Sequence, residues 1–257
     1  TQYTKGGWTW DDFLTAAQKM TIKEEDRITQ FGTSSWMSHP WISPWLWSNG
    51  GGILSEDKSK IIVDTPETIE AVQFQYDLMF KHHVAPQPGE GLTGMFETGK
   101  MAIASGWPTN VGIYSRSTDF AFDLVPYPEG KAGRFNILKS NANAIYKGTK
   151  HPQEAWEFVK EIASPEAELL LYRIGQFWWP ANKSVATSEE ILNALPGVHI
   201  DVMVDCSEKF GRLLPIVVEY EEMEHIINEE LESVVLGKKS AEVACKAIAE
   251  RIRPLVE

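Results

Sequence analysis

Hydrophobic residues recur at steps of three and four along several segments, which is the spacing of one face of an α-helix. In the segment that follows Pro66, the predicted buried face consists of Ile69, Val72, Tyr76 and Met79. Comparable patterns predict helices from Thr9 through Met20, from near Pro44 to Asn49, and over Asn110–Tyr114, Pro152–Ala163, Pro165–Ile174, Ser188–Leu195, His199–Glu208 and Glu219–Leu236. In the last helix, after Ser240, the residues predicted to pack inward are Val243, Ala247, Ile248 and Ile252.

Short apolar runs bounded by turn residues predict strands between these helices. The clearest run is Met101–Ala104, between Gly99 and Ser105, and we expect it among the inner strands of a small sheet covered by helices on both faces. Other predicted strands are Ile28–Thr33, Phe120–Val125 and Ser140–Tyr146, whereas Arg212–Pro215 is predicted to be a loop. The fold class that we expect is therefore α/β.

Several polar residues in these patterns are predicted to be structural. Thr9 can cap the first helix together with Asp12, and Asp11 and Asp12 favour its positive end. Because adjacent side chains on a helix point apart, these two acids are capping charges rather than a catalytic pair. His82 and His83, at the end of the helix after Pro66, are predicted to be surface residues rather than metal ligands.

The chain has two cysteines, Cys206 and Cys245, and neither lies in a CxxC or Cys/His cluster. We therefore expect no metal site and no cofactor, and both cysteines are expected to pack as small buried residues. Their spacing leaves open whether they form a disulfide.

Tryptophan is abundant, with ten residues in a chain of 257. So many indole rings require either a large core or a ligand surface. Four of them lie within twelve residues, from Trp36 to Trp47. Trp107 directly follows a predicted strand and Gly106, a position that often faces a cleft because ligand sites of α/β sheets lie beyond the strand ends. A place in the core is the alternative for Trp107.

The charge balance excludes some classes of partner. A net charge of −12 argues against nucleic acid and against anionic membranes. No apolar stretch of about 18 residues is present, and we find no GxSxG, phosphate-loop or GxGxxG pattern. No signal peptide opens the chain at Thr1, which leads us to expect a processed or truncated protein.

Five segments together resemble one protein family. The central one is Phe96–Trp107, with the pattern Phe-x-x-Gly-Lys-x-Ala-x-x-x-Gly-Trp. It is similar to the signature of the extracellular solute-binding proteins of ABC importers, in the sugar-carrying, maltose-binding-protein-like branch. The other similar segments are TWDDFLTAAQKMT from Thr9, WLWSNGGGIL from Trp45, DTPETIEAVQFQYDLM from Asp64 and LGKKSAEVACKAIAERI from Leu236.

The resemblance implies a division of the chain. Residues 1–138 correspond to the first part of a periplasmic-binding-protein-like C-terminal lobe, and residues 187–257 to its last helices. Residues 139–186 correspond to a segment that crosses the hinge and carries helices of the N-terminal lobe in relatives. The remainder of the N-terminal lobe is expected to be missing from this chain.

The resemblance also implies a function: a substrate-binding component of an ABC importer that binds a sugar or oligosaccharide and delivers it to the permease subunits. It implies a periplasmic or extracellular protein without enzymatic activity, with a lipid anchor on the full-length protein as an open alternative. In relatives the signature tryptophan follows Gly-Pro or Gly-Ser, whereas the order here is Gly106-Trp107-Pro108. The expected ligand contacts are Trp36, Trp41, Trp45, Trp107, Trp178, Trp179 and Tyr220, with Trp36 or Trp41 expected to share one concave surface with Trp107.

Two alternatives remain at this stage, a glycoside hydrolase and a lobe fragment without measurable ligand binding. A hydrolase would need a carboxylic acid in an apolar setting, and no Asp or Glu stands beside the tryptophan segments in such a setting. A lobe fragment would expose the apolar faces of the helices at 152–163 and 165–174, including Trp156, Phe158 and Leu169, and could self-associate through them.

Overall fold

The computed structural model describes residues 7–25, 27–91, 93–174 and 178–256. In chain order its helices are α1 (Trp10–Met20), α2 (Ser43–Ser48), α3 (Pro66–Phe80), α4 (Pro108–Ser117), α5 (Pro152–Ile162), α6 (Pro165–Ile174), α7 (Lys183–Ala186), α8 (Glu189–Leu192), α9 (Asp201–Glu208), α10 (Tyr220–Val235) and α11 (Ala241–Val256). Its strands are β1 (Ile22–Glu24), β2 (Arg27–Thr33), β3 (Met101–Ile103), β4 (Asn136–Leu138) and β5 (Gly211–Leu213).

The chain divides into two compact units. Unit 1 comprises Thr1–Ser105, Pro126–Leu138 and Lys209–Glu257. Unit 2 comprises Gly106–Val125 and Lys139–Glu208.

The sheet of unit 1 has the strand order β1-β2-β3, with β2 antiparallel to β1 and parallel to β3. The expectation that Met101–Ala104 is an inner strand is therefore wrong, because among the described residues β3 pairs only with β2 and forms the edge of this sheet. Helix α1 lies so close to β2 that a Cβ atom on Gly32 would be 1.9 Å from the backbone oxygen of Ala17. Glycine at this position therefore permits the contact between helix and strand.

The predicted loop at Arg212–Pro215 is wrong in its first part. Strand β5 pairs in parallel with β4, which places Arg212 opposite Ile137. Both strands are three residues long, too short for an alternating pattern to reveal them.

Two other predicted strands are wrong as well. Phe120–Val125 and Ser140–Tyr146 contain no strand, because neither segment pairs with any other described residue. Phe122 and Leu124 instead pack against the core of unit 2. The segment from residue 140 to 146, with the sequence SNANAIY, is exposed throughout.

Unit 1 contains two hydrophobic clusters. The first joins α3, α10 and α11, and the second is an aromatic cluster around Phe13, Trp36 and Trp45. The expected inward position of Val243 in α11 is wrong, because Ala244, Cys245 and Ile248 form the buried face and Val243 is half exposed. The cluster of unit 2 consists of buried Val111, Tyr172, Val185, Ile191 and Ile200.

Several helix predictions are confirmed. Thr9 and Asp12 form a capping box at α1, and hydrogen bonds from Thr9 lower the pKa of Asp12. Gly99 has a φ of 68°, although a turn rather than a helix precedes it. Gly175, the residue after α6, lies outside the described residues.

Both cysteines are free thiols. Cys245 is buried on α11, and burial, with a smaller effect of Asp64, raises the pKa of its thiol to about 12. Cys206 on α9 is partly buried. Within the described ranges, no helix has both the length and the apolar composition for crossing a membrane.

Candidate functional site

Residues 34–42 of unit 1 form the tryptophan loop, which connects β2 to α2 and carries Trp36 and Trp41. Trp36 is 8% exposed and stacks on Trp45 of α2, with ring centroids 5.3 Å apart and an interplanar angle of 22°. Trp45 is 1% exposed. The structure thus brings these two predicted ligand contacts together, but it encloses both of them.

Trp45 lies at the centre of the aromatic cluster. Its ring centroid is 5.0 Å from that of Phe13, 5.5 Å from that of Trp10 and 5.9 Å from that of Tyr127. Its Nε1 atom is buried without a hydrogen-bond partner among the described residues. These contacts give Trp45 the surroundings of a core residue, and a ligand role for Trp36 and Trp45 stays a prediction.

Trp41 and Tyr220 are the predicted residues of unit 1 that keep part of their surface open. Trp41 packs against the aromatic cluster, whereas Tyr220, the first residue of α10, packs against the core of α3, α10 and α11. Burial, with a smaller effect of Glu224, raises the pKa of Tyr220 to about 12. Its hydroxyl is therefore protonated at neutral pH and can donate a hydrogen bond.

His39 is the residue of the tryptophan loop that contacts the first turns of α10. Its Nδ1 atom is 3.5 Å from the hydroxyl of Tyr220 and 3.4 Å from Oε1 of Glu224, and its ring centroid is 5.8 Å from that of Tyr220. The backbone N–H of His39 donates to Oδ1 of Asn228 at 2.7 Å. Sequence reasoning missed His39, Glu224 and Asn228, because the contact joins segments far apart in the chain.

Gln75 of α3 holds the other end of the tryptophan loop. The backbone N–H of Trp36 donates to its Oε1 at 3.0 Å, and the hydroxyl of Ser35 donates to its backbone oxygen at 3.0 Å. Gln75 is fully buried and occupies the same helix face as Val72 and Met79. A glutamine in the register of an apolar stripe was the signal in the sequence that could have identified it.

Trp107 belongs to unit 2, where it is partly buried at the N-cap position of α4. Its backbone N–H donates to Oδ1 of Asn110 at 2.8 Å. A Cβ atom on Gly106 would lie 2.8 Å from Cγ of Asn110, so glycine allows this close turn. The ammonium of Lys139 lies 5.7 Å from the centroid of the indole ring of Trp107, at the distance of a cation–π contact.

Trp178 and Trp179 also belong to unit 2 and differ in burial. Trp178 is 48% exposed, whereas Trp179 packs against the hydrophobic cluster of this unit. Such a difference is expected for neighbouring residues in an extended segment. Phe177 lies outside the described residues.

The charged groups of the described chain include a buried carboxylate that is held in ion pairs. The buried carboxylate among these residues is Glu230, which pairs with Lys239 and, at 2.8 Å, with Arg251. Within the same residues, no three His, Cys, Asp or Glu side chains are grouped to hold a metal ion.

Solved structures with the same fold cover almost all of this chain. An ABC substrate-binding protein from Listeria monocytogenes, in complex with cycloalternan, superposes with a TM-score of 0.82 at 22% identity, covering 96% of this chain and 63% of the other. An ABC transporter solute-binding protein from Thermotoga lettingae, bound with alpha-D-tagatose, gives 0.80 at 22% identity, covering 97% and 65%. A maltose/maltodextrin-binding domain from Bdellovibrio bacteriovorus, bound to maltotriose, gives 0.79 at 18% identity, covering 96% and 66%.

This chain therefore spans just under two thirds of the length of these proteins. The predicted α/β class is confirmed, and the fold is the one that these substrate-binding proteins share. The sequence identifies the family, because residues 2–169 match the family model of the bacterial extracellular solute-binding proteins. This match extends over more than half of the chain, and the chain belongs to the family of bacterial extracellular solute-binding proteins.

Proposed function

We propose that this protein is the substrate-binding component of an ABC importer and that it binds a sugar or an oligosaccharide. The observation that carries the proposal is the placement of Trp41 and Tyr220 as partly exposed aromatic residues of unit 1 in a chain of the solute-binding family. The carbohydrates bound to the three similar structures support the class of ligand.

The chemistry of a sugar fits these side chains. A pyranose ring has an apolar C–H face that packs on an aromatic ring, and hydroxyl groups at its edge that need hydrogen-bond partners. In unit 1, Trp41 supplies an aromatic surface, and Tyr220 adds a ring and a protonated hydroxyl. In unit 2, the half-exposed Trp178 and the partly buried Trp107 are the residues proposed to contact sugar.

The experiment is a calorimetric titration of the chain with maltotriose, cycloalternan and tagatose. We expect heat of binding with at least one of the three sugars. Replacement of Trp41 by Ala should weaken that binding by about tenfold or more, because a lost stacking contact is worth about 0.5–1.5 kcal/mol in addition to the buried area. The matched control is Trp156→Ala, which removes a half-exposed tryptophan of α5 that has no part in the proposed site.

Two results would contradict the proposal. The first is the absence of binding to all three sugars at millimolar concentration by a chain that is folded according to its circular dichroism. The second is an equal loss of affinity in Trp41→Ala and Trp156→Ala.

We further propose that the protein acts outside the cytoplasmic membrane and passes its sugar to permease subunits. The description of the family as extracellular supports this location. Deletion of the gene in its native bacterium should abolish uptake of the radiolabelled sugar that the titration identifies. Unchanged uptake would contradict the role in import without affecting the proposed binding.

A further inference from the structure

His39 is a polar residue that is buried outside the hydrophobic clusters of unit 1. It is 4% exposed, and its Nε2 atom has no hydrogen-bond partner among the described residues. Enclosing a polar atom without a partner costs free energy. An apolar side chain of similar size would avoid this cost, so the contacts that His39 does make need an explanation.

The backbone of His39 is fixed to α10 by a single carboxamide. Its N–H donates to Oδ1 of Asn228 at 2.7 Å, and its carbonyl oxygen accepts from Nδ2 of the same residue at 3.4 Å. One side chain of the helix thus contacts both polar backbone groups of one loop residue. This pair of contacts sets the position and the direction of the loop at His39.

The imidazole of His39 contacts the residues one and two turns earlier on the same helix. Tyr220, Glu224 and Asn228 are spaced by four residues and therefore share one face of α10. The hydroxyl of Tyr220 and a carboxylate oxygen of Glu224 lie 3.5 Å and 3.4 Å from Nδ1 of His39. The ring of His39 therefore packs beside the ring of Tyr220, with their centroids 5.8 Å apart.

A second helix holds the loop near its start. Gln75 of α3 accepts the backbone N–H of Trp36 and, through its own backbone oxygen, the hydroxyl of Ser35. The tryptophan loop is therefore fixed at two points, by α3 near Trp36 and by α10 at His39. Trp41 follows the second point by two residues.

We propose that His39 is a positioning residue of the sugar site, which holds the tryptophan loop with Trp41 and the ring of Tyr220 in one fixed arrangement. The inference rests on the proposed function, since Trp41 and Tyr220 are the residues of unit 1 proposed to contact the sugar. A site whose aromatic side chains are ordered before binding loses less conformational entropy when the ligand arrives.

The test compares His39→Leu, which keeps bulk but removes Nδ1, with His39→Asn, which retains a polar atom close to the backbone. The control is His225→Leu, which changes an exposed histidine of the same helix. Maltotriose is the probe for affinity. We expect His39→Leu to weaken binding on the order of tenfold, His39→Asn to restore most of the loss, and His225→Leu to have no effect.

Hydrogen exchange without sugar provides the readout that separates positioning from general stability. In His39→Leu, the backbone amides of residues 35–42 should exchange faster, while those of α11 keep the rates of the unmodified protein. A merely structural role would raise exchange in both regions by the same factor and leave the affinity per folded molecule unchanged.

The inference is overturned if His39→Leu leaves the exchange rates of residues 35–42 unchanged, or if its affinity equals that of His225→Leu. If the unmodified protein binds neither maltotriose nor the other sugars, the proposed function fails. The exchange rates of the loop then still decide whether His39 fixes it.

Discussion

Trp36 and Trp45 show how differently residues of one type are used within a short stretch of chain. Both rings are enclosed and stack on each other, whereas Trp41, between them in sequence, keeps part of its surface open. We expect Trp45→Ala to lower the free energy of unfolding by about 3–5 kcal/mol, because it leaves a cavity in the aromatic cluster. Urea denaturation measures this loss. If Trp45→Ala lowered the free energy of unfolding by less than Trp41→Ala does, the assignment of Trp45 to the core would be contradicted.

A second prediction for a single residue concerns the pH dependence of stability. Burial lowers the pKa of His39, and the neighbouring Glu224 opposes this effect only in part. Since a histidine of the unfolded chain binds a proton near pH 6.5, the unfolded state binds more protons than the folded state just below that pH. The free energy of unfolding should therefore fall as the pH decreases below about 6.5.

Urea denaturation at about pH 7.5 and about pH 5.5 gives the change in unfolding free energy between the two pH values. This change should be smaller in His39→Asn than in the unmodified protein. The control is His151→Asn, an exposed histidine beside Glu154. Asp57, whose pKa hydrogen bonds from Ser55 and Ser59 lower to about 2, titrates well below this range. A pH dependence that is the same in both variants would contradict the prediction.

At the scale of elements, the contact between α1 and β2 depends on the absence of a side chain at Gly32. Replacement of Gly32 by Ala should cost about 1–3 kcal/mol, because the obstacle is backbone of α1 rather than the flexible end of a side chain. Thermal unfolding followed by circular dichroism measures the change. The control is Thr15→Ala on the exposed face of α1, for which we expect a change within about 0.5 kcal/mol. Equal melting temperatures for the two variants would show that α1 moves freely away from the strand.

Helix α5 has a pronounced apolar face and yet no buried residue in the described structure. Trp156 is 49% exposed and Phe158 is 66% exposed, and Ile174 of α6 is 65% exposed. Exposed apolar residues on neighbouring helices favour self-association. We expect the protein to form concentration-dependent oligomers in sedimentation experiments, and Phe158→Glu to reduce them.

The matched variant is Glu157→Gln, which alters the adjacent exposed residue without changing the apolar face. It should associate as the unmodified protein does. A strict monomer at all concentrations would contradict the prediction for α5.

For the molecule as a whole, the sequence was informative where the determinants are local. The capping residues of α1 and the periodicity of α3 and α10 identified these helices, because each signal lies within the helix itself. Ser140–Tyr146 was predicted as a strand from the same kind of local pattern, but a strand also requires a partner, and none of the described segments pairs with it. Strands β4 and β5 were missed for the converse reason, since their pairing depends on a contact between distant segments.

For the candidate site too, the sequence was informative where the determinants are local. The tryptophans could be selected by residue type and by resemblance. Asn228, which holds the tryptophan loop at His39, could not be selected, because it contacts a backbone group far away in sequence. Gln75 could have been selected, because it is a polar residue in the apolar stripe of α3. The burial of Trp36 could not be predicted from the sequence either, since it depends on the stacking of its ring on Trp45.

The division of unit 1 into three stretches of chain has a consequence for how the protein folds. Its core joins α3, which ends at Phe80, to α10, which begins at Tyr220, and the whole of unit 2 lies between them in sequence. During synthesis from the N-terminus, the apolar face of α3 therefore lacks its partners until α10 and α11 have been made. The segments of unit 2 are made before those two helices. Closing so long a loop slows the formation of the contacts that depend on it. In pulse-labelled refolding, the amides of α3 and α11 should gain protection together, and later than those of unit 2.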